Sequence, residues 1–253
     1  SFSGGKDSWV LLNLVRQIYP RVPGIFVNTG LEYPEILKFV KKVKNVHWIR
    51  PKRKFSDVIK THGWPIISKD QAVAISRYRN TKSEQQKYYR LNGFPNGKTG
   101  MISKKWQYLV NAPFKISAEC CYFLKKYPLK KASGKHGSPF VGMMATDSDW
   151  RRRRYAKIGC NAYDQKQPMS MPLAFWREED IWSYIQRAGI GYSSVYDMGY
   201  DRTGCMFCGF GVHMEGIPNR FQRMKKTHPK HWKYCMDRLG MREVIRYINM
   251  PIE

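Results

Sequence analysis

The chain starts SFSGGKDS and runs at once into WVLLNLV, so seven of the first eight residues are small, polar or charged and an apolar stretch follows. A loop of glycine and serine at a helix N-terminus makes a phosphate cradle. Glycine lets the backbone approach the anion and take positive φ, the amides point inward, and the helix dipole favours negative charge. Gly4 and Gly5 supply the backbone freedom, Ser1, Ser3 and Ser8 the hydroxyl donors, and Lys6 a point charge. The pattern G-x-x-x-x-G-K-[ST] of the Walker A loop is not matched. Lys6 and Asp7 are the candidate catalytic pair.

Cysteine supplies a second set of reactive groups. Cys120 and Cys121 are adjacent, and Cys205 and Cys208 form a C-x-x-C. Four thiolates in two pairs suit a [4Fe–4S] cluster or a structural zinc. Adjacent cysteines fit a zinc ribbon poorly, because its pairs straddle a turn. Cys160, in KIGCNAY, and Cys235, in KHWKYCMDR, stand apart. His213, His228 and His231 could complete a zinc site with Cys205 and Cys208, or be surface histidines of a basic tail. A third set is the run Arg151 to Arg154, four consecutive cations that cannot all face a core.

Hydrophobic periodicity predicts the elements that must position these groups. Asp7 to Tyr19 reads as a helix with Val10, Leu11, Leu14, Val15 and Ile18 on one face. PGIFVNTG reads as a buried strand ending at a turn, Pro34 to Lys44 as a helix, and VHWIR as a second strand. This alternation predicts an α/β fold, a parallel sheet flanked by helices. PFVGMMA, Pro139 to Ala145, reads as a later strand of that sheet. A loop feeding a helix in such a fold follows a strand, so a strand upstream of Ser1 is expected outside this numbering. The polar middle, about 61–138, holds SRYRNTKSEQQKYYRLNGFPNGKTG and reads as a basic helical insertion rather than sheet. Interleaved arginine, lysine and tyrosine there could stack bases and neutralise phosphates. A helix is expected within Pro172 to Gly189, led in by PLAFW, with Glu178, Glu179 and Asp180 in its first turn. The tail, Pro218 to Asn249, reads as helical and basic. The expected organisation is a nucleotide-binding domain over 1–175 that includes the insertion, then a helical region over 176–253 carrying the C-x-x-C.

The 253 residues carry a formal net charge of +26, with a pI near 9.9. That excess points to a polyanionic partner, a nucleic acid, through counterion release and long-range steering. No run of 18 apolar residues occurs, so no membrane span and a cytoplasmic protein are expected. Six cysteines in this arrangement suit metal or redox chemistry in a reducing compartment better than a disulfide scaffold.

SGGKDS resembles the PP-loop of the ATP pyrophosphatase superfamily, whose fold is Rossmann-like. VNTGLEYPE, Val27 to Glu35, resembles the next signature of the phosphoadenosine phosphosulfate (PAPS) reductase branch, D-T-G-x-x-[FY]-P-E, with Asn28 where aspartate is usual. CCYFLKKYPL resembles the C-C-x-x-x-K-x-x-P-L stretch of adenylylsulfate (APS) reductases, in which a tandem Cys-Cys and a later C-x-x-C hold a [4Fe–4S] cluster. GMMATDSDWRRRR resembles the anion-binding G-x-R-R-x-x-S-x-x-R of sulfonucleotide reductases only in part. Met143 and Met144 stand in place of arginines, while Ser148 and Arg151 to Arg154 keep the polar character.

The resemblance implies a nucleotide site built from Ser1, Ser3, Gly4, Gly5, Lys6, Asp7, Ser8, Asn28, Thr29, Gly30, Ser148 and Arg151. It implies a cluster held by Cys120, Cys121, Cys205 and Cys208, with ATP and Mg2+ at the loop. Two departures separate this chain from sulfonucleotide reductases. Those enzymes carry a degraded loop such as S-G-A-E-D, and they attack sulfur with the cysteine of a C-terminal E-C-G-L-H segment. Here the loop is intact and the sequence ends INMPIE. The expected function is an ATP-dependent adenylating enzyme for sulfur transfer to nucleic acid, tRNA or DNA, served by a sulfur donor. One alternative is an APS or PAPS reductase that makes sulfite with a reductant protein. The other is a non-catalytic nucleic-acid-binding regulator.

Overall fold

The computed structural model describes residues 1–134, 137–165 and 168–252. Lys135 and His136, inside the expected insertion, and the terminal Glu253 lie outside the described residues. The first elements are helix α1 (Lys6–Ile18), strand β1 (Gly24–Val27), helix α2 (Pro34–Lys42) and strand β2 (Val46–Ile49). Then come α3 (Phe55–His62), β3 (Ile66–Ile67), α4 (Lys69–Asn80), α5 (Glu84–Asn92), α6 (Glu119–Cys121) and α7 (Tyr127–Ser133). The later part adds α8 (Asp149–Ile158), β4 (Asn161–Ala162), β5 (Met169–Ser170), α9 (Glu178–Arg187) and β6 (Gly209–Phe210). Helices α10 (Arg220–Thr227), α11 (Pro229–Lys233) and α12 (Met241–Tyr247) complete it.

By compactness the chain forms two discontinuous units. One comprises Ser1–Pro51 and Lys126–Thr203, the other Lys52–Lys125 and Gly204–Glu253. The division at residue 175 expected above rests on motif order, a different criterion, and stays a proposal.

In the first unit, β1 and β2 pair in parallel, Gly24 opposite Val46 through Val27 opposite Ile49. The short run between them is helical because Pro34 sits in the first turn of α2, where its missing N–H costs nothing. Phe2 N–H donates to the Ile25 carbonyl at 2.9 Å, which lays the start of the chain beside β1. Val10, Leu11 and Val15 of α1 form a core with Met144, Leu173, and Ile181 and Ile185 of α9. This core fixes α1, and so the loop at its N-terminus. Residues 139–145 are not the strand expected. They run extended beside 170–174: Phe140 bridges Ser170, Val141 N–H donates to Ser170 and Ala145 N–H to Ala174. Their hydrophobicity serves contact with α1, where a side chain at Gly142 would come within 3.4 Å of the Asp7 carbonyl and of Leu11.

In the second unit the expected insertion is mainly helical, with Ser68 and Ser83 capping α4 and α5 through the Gln71 and Gln86 amides. It is not free of sheet. Ile66 and Ile67 pair in parallel with Gly209 and Phe210. A side chain at Gly209 would meet Ile66 at 2.9 Å and the Pro65 carbonyl at 2.9 Å, so this pairing needs glycine there. No helix is long and apolar enough to cross a membrane, among the described residues.

Candidate functional site

The loop Ser3–Ser8 is held by its own serines. Ser3 N–H donates to Ser8 Oγ at 3.1 Å, Ser8 Oγ donates to the Gly5 carbonyl at 2.9 Å, and the two hydroxyls lie 3.0 Å apart. Gly4 has φ +76, and a Cβ there would sit 2.5 Å from Val40 and 2.8 Å from Ile36 of α2. The loop thus rests directly on α2, and two glycine requirements coincide at one residue. Gly4→Ala is expected to destabilise the protein by about 2–4 kcal/mol from overpacking and left-handed strain together. Gly30, φ +77, has nothing within 4 Å of the position a Cβ would take. Gly30→Ala then costs only the strain, about 1 kcal/mol. Urea unfolding of both variants checks this, and equal losses would contradict the close packing at Gly4.

Lys6 is 5% exposed. Its ammonium donates to the Asp201 carbonyl at 2.9 Å and pairs with Glu178 at 3.0 Å. It lies 3.9 Å from Asp7. The rings of Trp182 and Tyr196 stand 5.9 and 5.3 Å from it, within cation–π range. The Lys6 amide, one of the cradle's donors, donates to the Tyr196 hydroxyl at 2.7 Å. Burial pushes the Tyr196 phenol up, against the opposing hydrogen bonds of Thr203 and Lys6. Glu178 and Tyr196 therefore occupy the two groups of Lys6 that a phosphate would use. Glu178 reads from sequence only as a helix-dipole acid, and Tyr196 carries no motif, so this clamp was not foreseen.

Burial raises the Asp7 carboxyl above its ordinary range, with Asp147 and Glu178 adding to the rise and Lys6 opposing it. Its buried Oδ1 has no hydrogen-bond partner. That oxygen, 3.9 Å from the Lys6 ammonium, is a single hard donor of the kind Mg2+ takes alongside phosphate and water. Asn28, Thr29 and Gly30 form the turn after β1, where α/β folds take ligands. Gly30 N–H donates to Asn28 Oδ1 at 3.0 Å. Thr29 donates from its amide and hydroxyl to Glu32, at 2.9 and 2.7 Å. Ser148 Oγ caps α8 by accepting from the Arg151 amide, and the Arg151 guanidinium pairs with Asp147. Asp147, which Arg151 holds, adds to the rise of the Asp7 carboxyl.

The four cysteines expected as ligands share the second unit. Cys120 is buried on α6, and all six cysteines are thiols. A hydrogen bond with Cys121, burial, and the charges of Cys121, Cys208 and Cys205 all push the Cys120 thiol up. Cys208 is pushed up to about 11 by burial and by Cys205, against the Phe210 amide and Arg220. The two pairs therefore sense each other. Cys208 N–H donates to the Cys205 carbonyl at 3.1 Å, and its own carbonyl accepts from Arg220 at 3.1 Å. Arg220 is held in turn by Glu215. No group of three or more His, Cys, Asp or Glu stands close enough to hold a metal ion, among the described residues. By donor chemistry alone, four thiol sulfurs in two pairs suit a soft metal or cluster, which takes them as thiolates. His228 is buried rather than at the surface expected of it, with His231 beside its ring at 5.9 Å.

The phosphoadenosine phosphosulfate reductase domain matches this chain in two overlapping stretches, residues 1–93 and 48–210. The chain belongs to the PAPS reductase family. Within that family's reach, an uncharacterised protein of Methanocaldococcus jannaschii is 26% identical over 241 residues, 92% of this chain but 39% of the relative. The chain thus spans well under half of that relative's length. An adenosine 5'-phosphosulfate reductase of Bacillus anthracis is 23% identical over 210 residues, 83% of this chain and 74% of the relative. A crystal structure of PAPS reductase from Candida auris, a phosphate complex, aligns with TM-score 0.44 at 15% identity over 81% of this chain and 80% of that chain.

Proposed function

We propose that this PAPS reductase family chain is an ATP-consuming PP-loop enzyme that adenylates a substrate for sulfur transfer, with nucleic acid as acceptor. The intact SGGKDS loop, with a buried Lys6 and a glycine that only glycine can replace, carries this reading. In it, the loop amides and Lys6 hold the ATP phosphates, Asp7 holds Mg2+, and Thr29 and Gly30 border the nucleotide. Ser148 and Arg151 border it from α8. A substrate oxygen attacks the α-phosphorus, the bond to the β-phosphate oxygen breaks, and pyrophosphate leaves. The substrate then carries AMP, a good leaving group that a sulfur nucleophile from a donor displaces. Lys6 acts by neutralising charge that grows on the leaving pyrophosphate. Phosphate binding exchanges Glu178 for the anion at the ammonium and Tyr196 for the anion at the amide.

Cys120, Cys121, Cys205 and Cys208 are the proposed ligands of a [4Fe–4S] cluster. Held there, such a cluster would supply structure and local charge. Six thiols fit a reducing, cytoplasmic setting.

The second reading, an APS or PAPS reductase, is supported by the family and by relatives bearing that name. It needs a reactive thiol besides the four proposed ligands. Cys235 is 0% exposed and pushed up by burial. Cys160 packs against the cluster of Tyr155, Ala162, Met171 and Ala174. Cys235 is therefore a poor nucleophile, which leaves the half-buried Cys160 as the thiol this reading would test among the described residues. Incubating the protein separately with ATP plus tRNA and with PAPS or APS plus reductant separates the readings. The first is expected to release pyrophosphate and the second no sulfite.

A further inference from the structure

Helices α4 and α5 carry the arginine- and tyrosine-rich part of the second unit, and a cleft of about 320 Å³ opens between them. Arg77 and Asn80 of α4, Thr81 at its end, and Gln86 and Arg90 of α5 line it. Every one has a hydrogen-bond donor, and none is a carboxylate. We propose that this cleft binds phosphate, and that its ligand is a backbone phosphate of a polynucleotide. The proposal rests on the nucleic-acid reading of the partner.

Arg90 is 9% exposed and fixed from two sides. Its Nη1 donates to the Gly100 carbonyl at 2.7 Å, and its guanidinium lies 4.7 Å from the Phe94 ring. Its remaining donors have no carboxylate to meet. Among the described residues neither Arg77 nor Arg90 forms an ion pair. Each helix carries one acid. Asp70 sits in the first turn of α4, whereas Arg77 is in its last. Glu84 is held by Lys87 at 2.6 Å. Burial, and then Arg77, lower the proton affinity of Arg90, so the two cations feel each other without a counter-charge. A phosphate between them removes that repulsion and accepts several donors at once. Gln86 lies in the first turn of α5, at the positive end of the helix dipole.

The lining selects a polymer over a free nucleotide. No aromatic ring or aliphatic side chain among the described residues lines it to sandwich a base, so it grips a phosphate and leaves the rest of the ligand to other contacts. Tyr88, 62% exposed on the same helix, offers a stacking face, and the +26 charge offers the field.

Fluorescence anisotropy with a labelled single-stranded RNA of about 20 nucleotides tests this, read across salt concentrations. Arg77→Ala is expected to weaken binding about three- to tenfold and to flatten the slope of log K against log salt by about 0.7, one phosphate contact. Gln86→Glu, exposed and on the other helix, is expected to weaken binding as well, with circular dichroism reporting the fold of both variants. Inorganic phosphate is expected to displace RNA no better than chloride at equal ionic strength. Wild-type binding that neither variant changes overturns the cleft and leaves the nucleic-acid partner standing. No binding by the wild type overturns both. Selective displacement by inorganic phosphate makes the site one for free phosphate and overturns the polymer.

Discussion

Replacing Lys6 with alanine is expected to lower pyrophosphate release from ATP by about 10²- to 10³-fold, the loss typical of removing one preorganised group from a developing negative charge. Lys6 is buried, so alanine also leaves Glu178 and Asp7 without their cation and opens space under Trp182 and Tyr196. Lys6→Met separates these effects. It keeps an apolar stem over both rings and removes only the charge, and it should lose the same activity with less loss of stability. Glu178→Gln probes the clamp from the other side. The Glu178 side chain is 53% exposed and its carboxylate is 3.0 Å from the ammonium, so it competes with phosphate for Lys6. Removing that competitor is expected to lower KM for ATP several-fold while kcat stays within about threefold. Steady-state kinetics on all three variants checks the assignment. A Lys6→Met enzyme with wild-type kcat/KM would show that the ammonium serves the fold alone.

Serine at Cys120, Cys121, Cys205 or Cys208 is the second large change. Protein purified without oxygen is expected to be brown, with broad absorbance near about 400 nm, and each serine variant to lose at least about tenfold in bound iron. Cys160→Ser, in the other unit, should keep its colour. Binding of a cluster stabilises the unit that holds it, so iron removal by a chelator should lower the thermal midpoint of wild type and leave the serine variants unmoved. Arg220 and Glu215 belong to the same prediction. They hold the Cys208 carbonyl, and outer contacts of this kind usually affect metal affinity about 10- to 100-fold. Arg220→Ala should bind less iron, with all four thiols present. A colourless wild type loaded with zinc would refute the cluster and keep the thiol set as a metal site.

Local pattern made much of this architecture legible. The apolar faces of α1 and α2 and the short runs of β1 and β2 are set by residues a few positions apart, so periodicity finds them. The loop was legible for the same reason: Gly4, Lys6 and Ser8 act within one turn. Distant contacts were not. Lys6 meets Glu178 and Tyr196 through the packing of α1 on α9, and nothing in EED or VYDM marks that meeting. Residues 139–145 are hydrophobic enough for a sheet, but their backbone partners are Ser170 and Ala174, chosen by tertiary packing. The pairing of Ile66–Ile67 with Gly209–Phe210 is two residues long, too short for any periodic signal. It matters nonetheless, because it anchors the chain directly after Cys208. The cysteine pairs were legible as a set because their chemistry is rare. Their mutual influence, visible in the raised Cys120 and Cys208 thiols, required the fold.

The central claim is that the loop consumes ATP. Its most direct test is one assay on anaerobically purified protein that follows pyrophosphate from ATP, in the presence of bulk tRNA or DNA, and sulfite from APS or PAPS in parallel. The account predicts pyrophosphate that depends on Lys6, and no sulfite. Sulfite formed from APS or PAPS without ATP, with no pyrophosphate under any condition, would contradict it and make the chain a sulfonucleotide reductase.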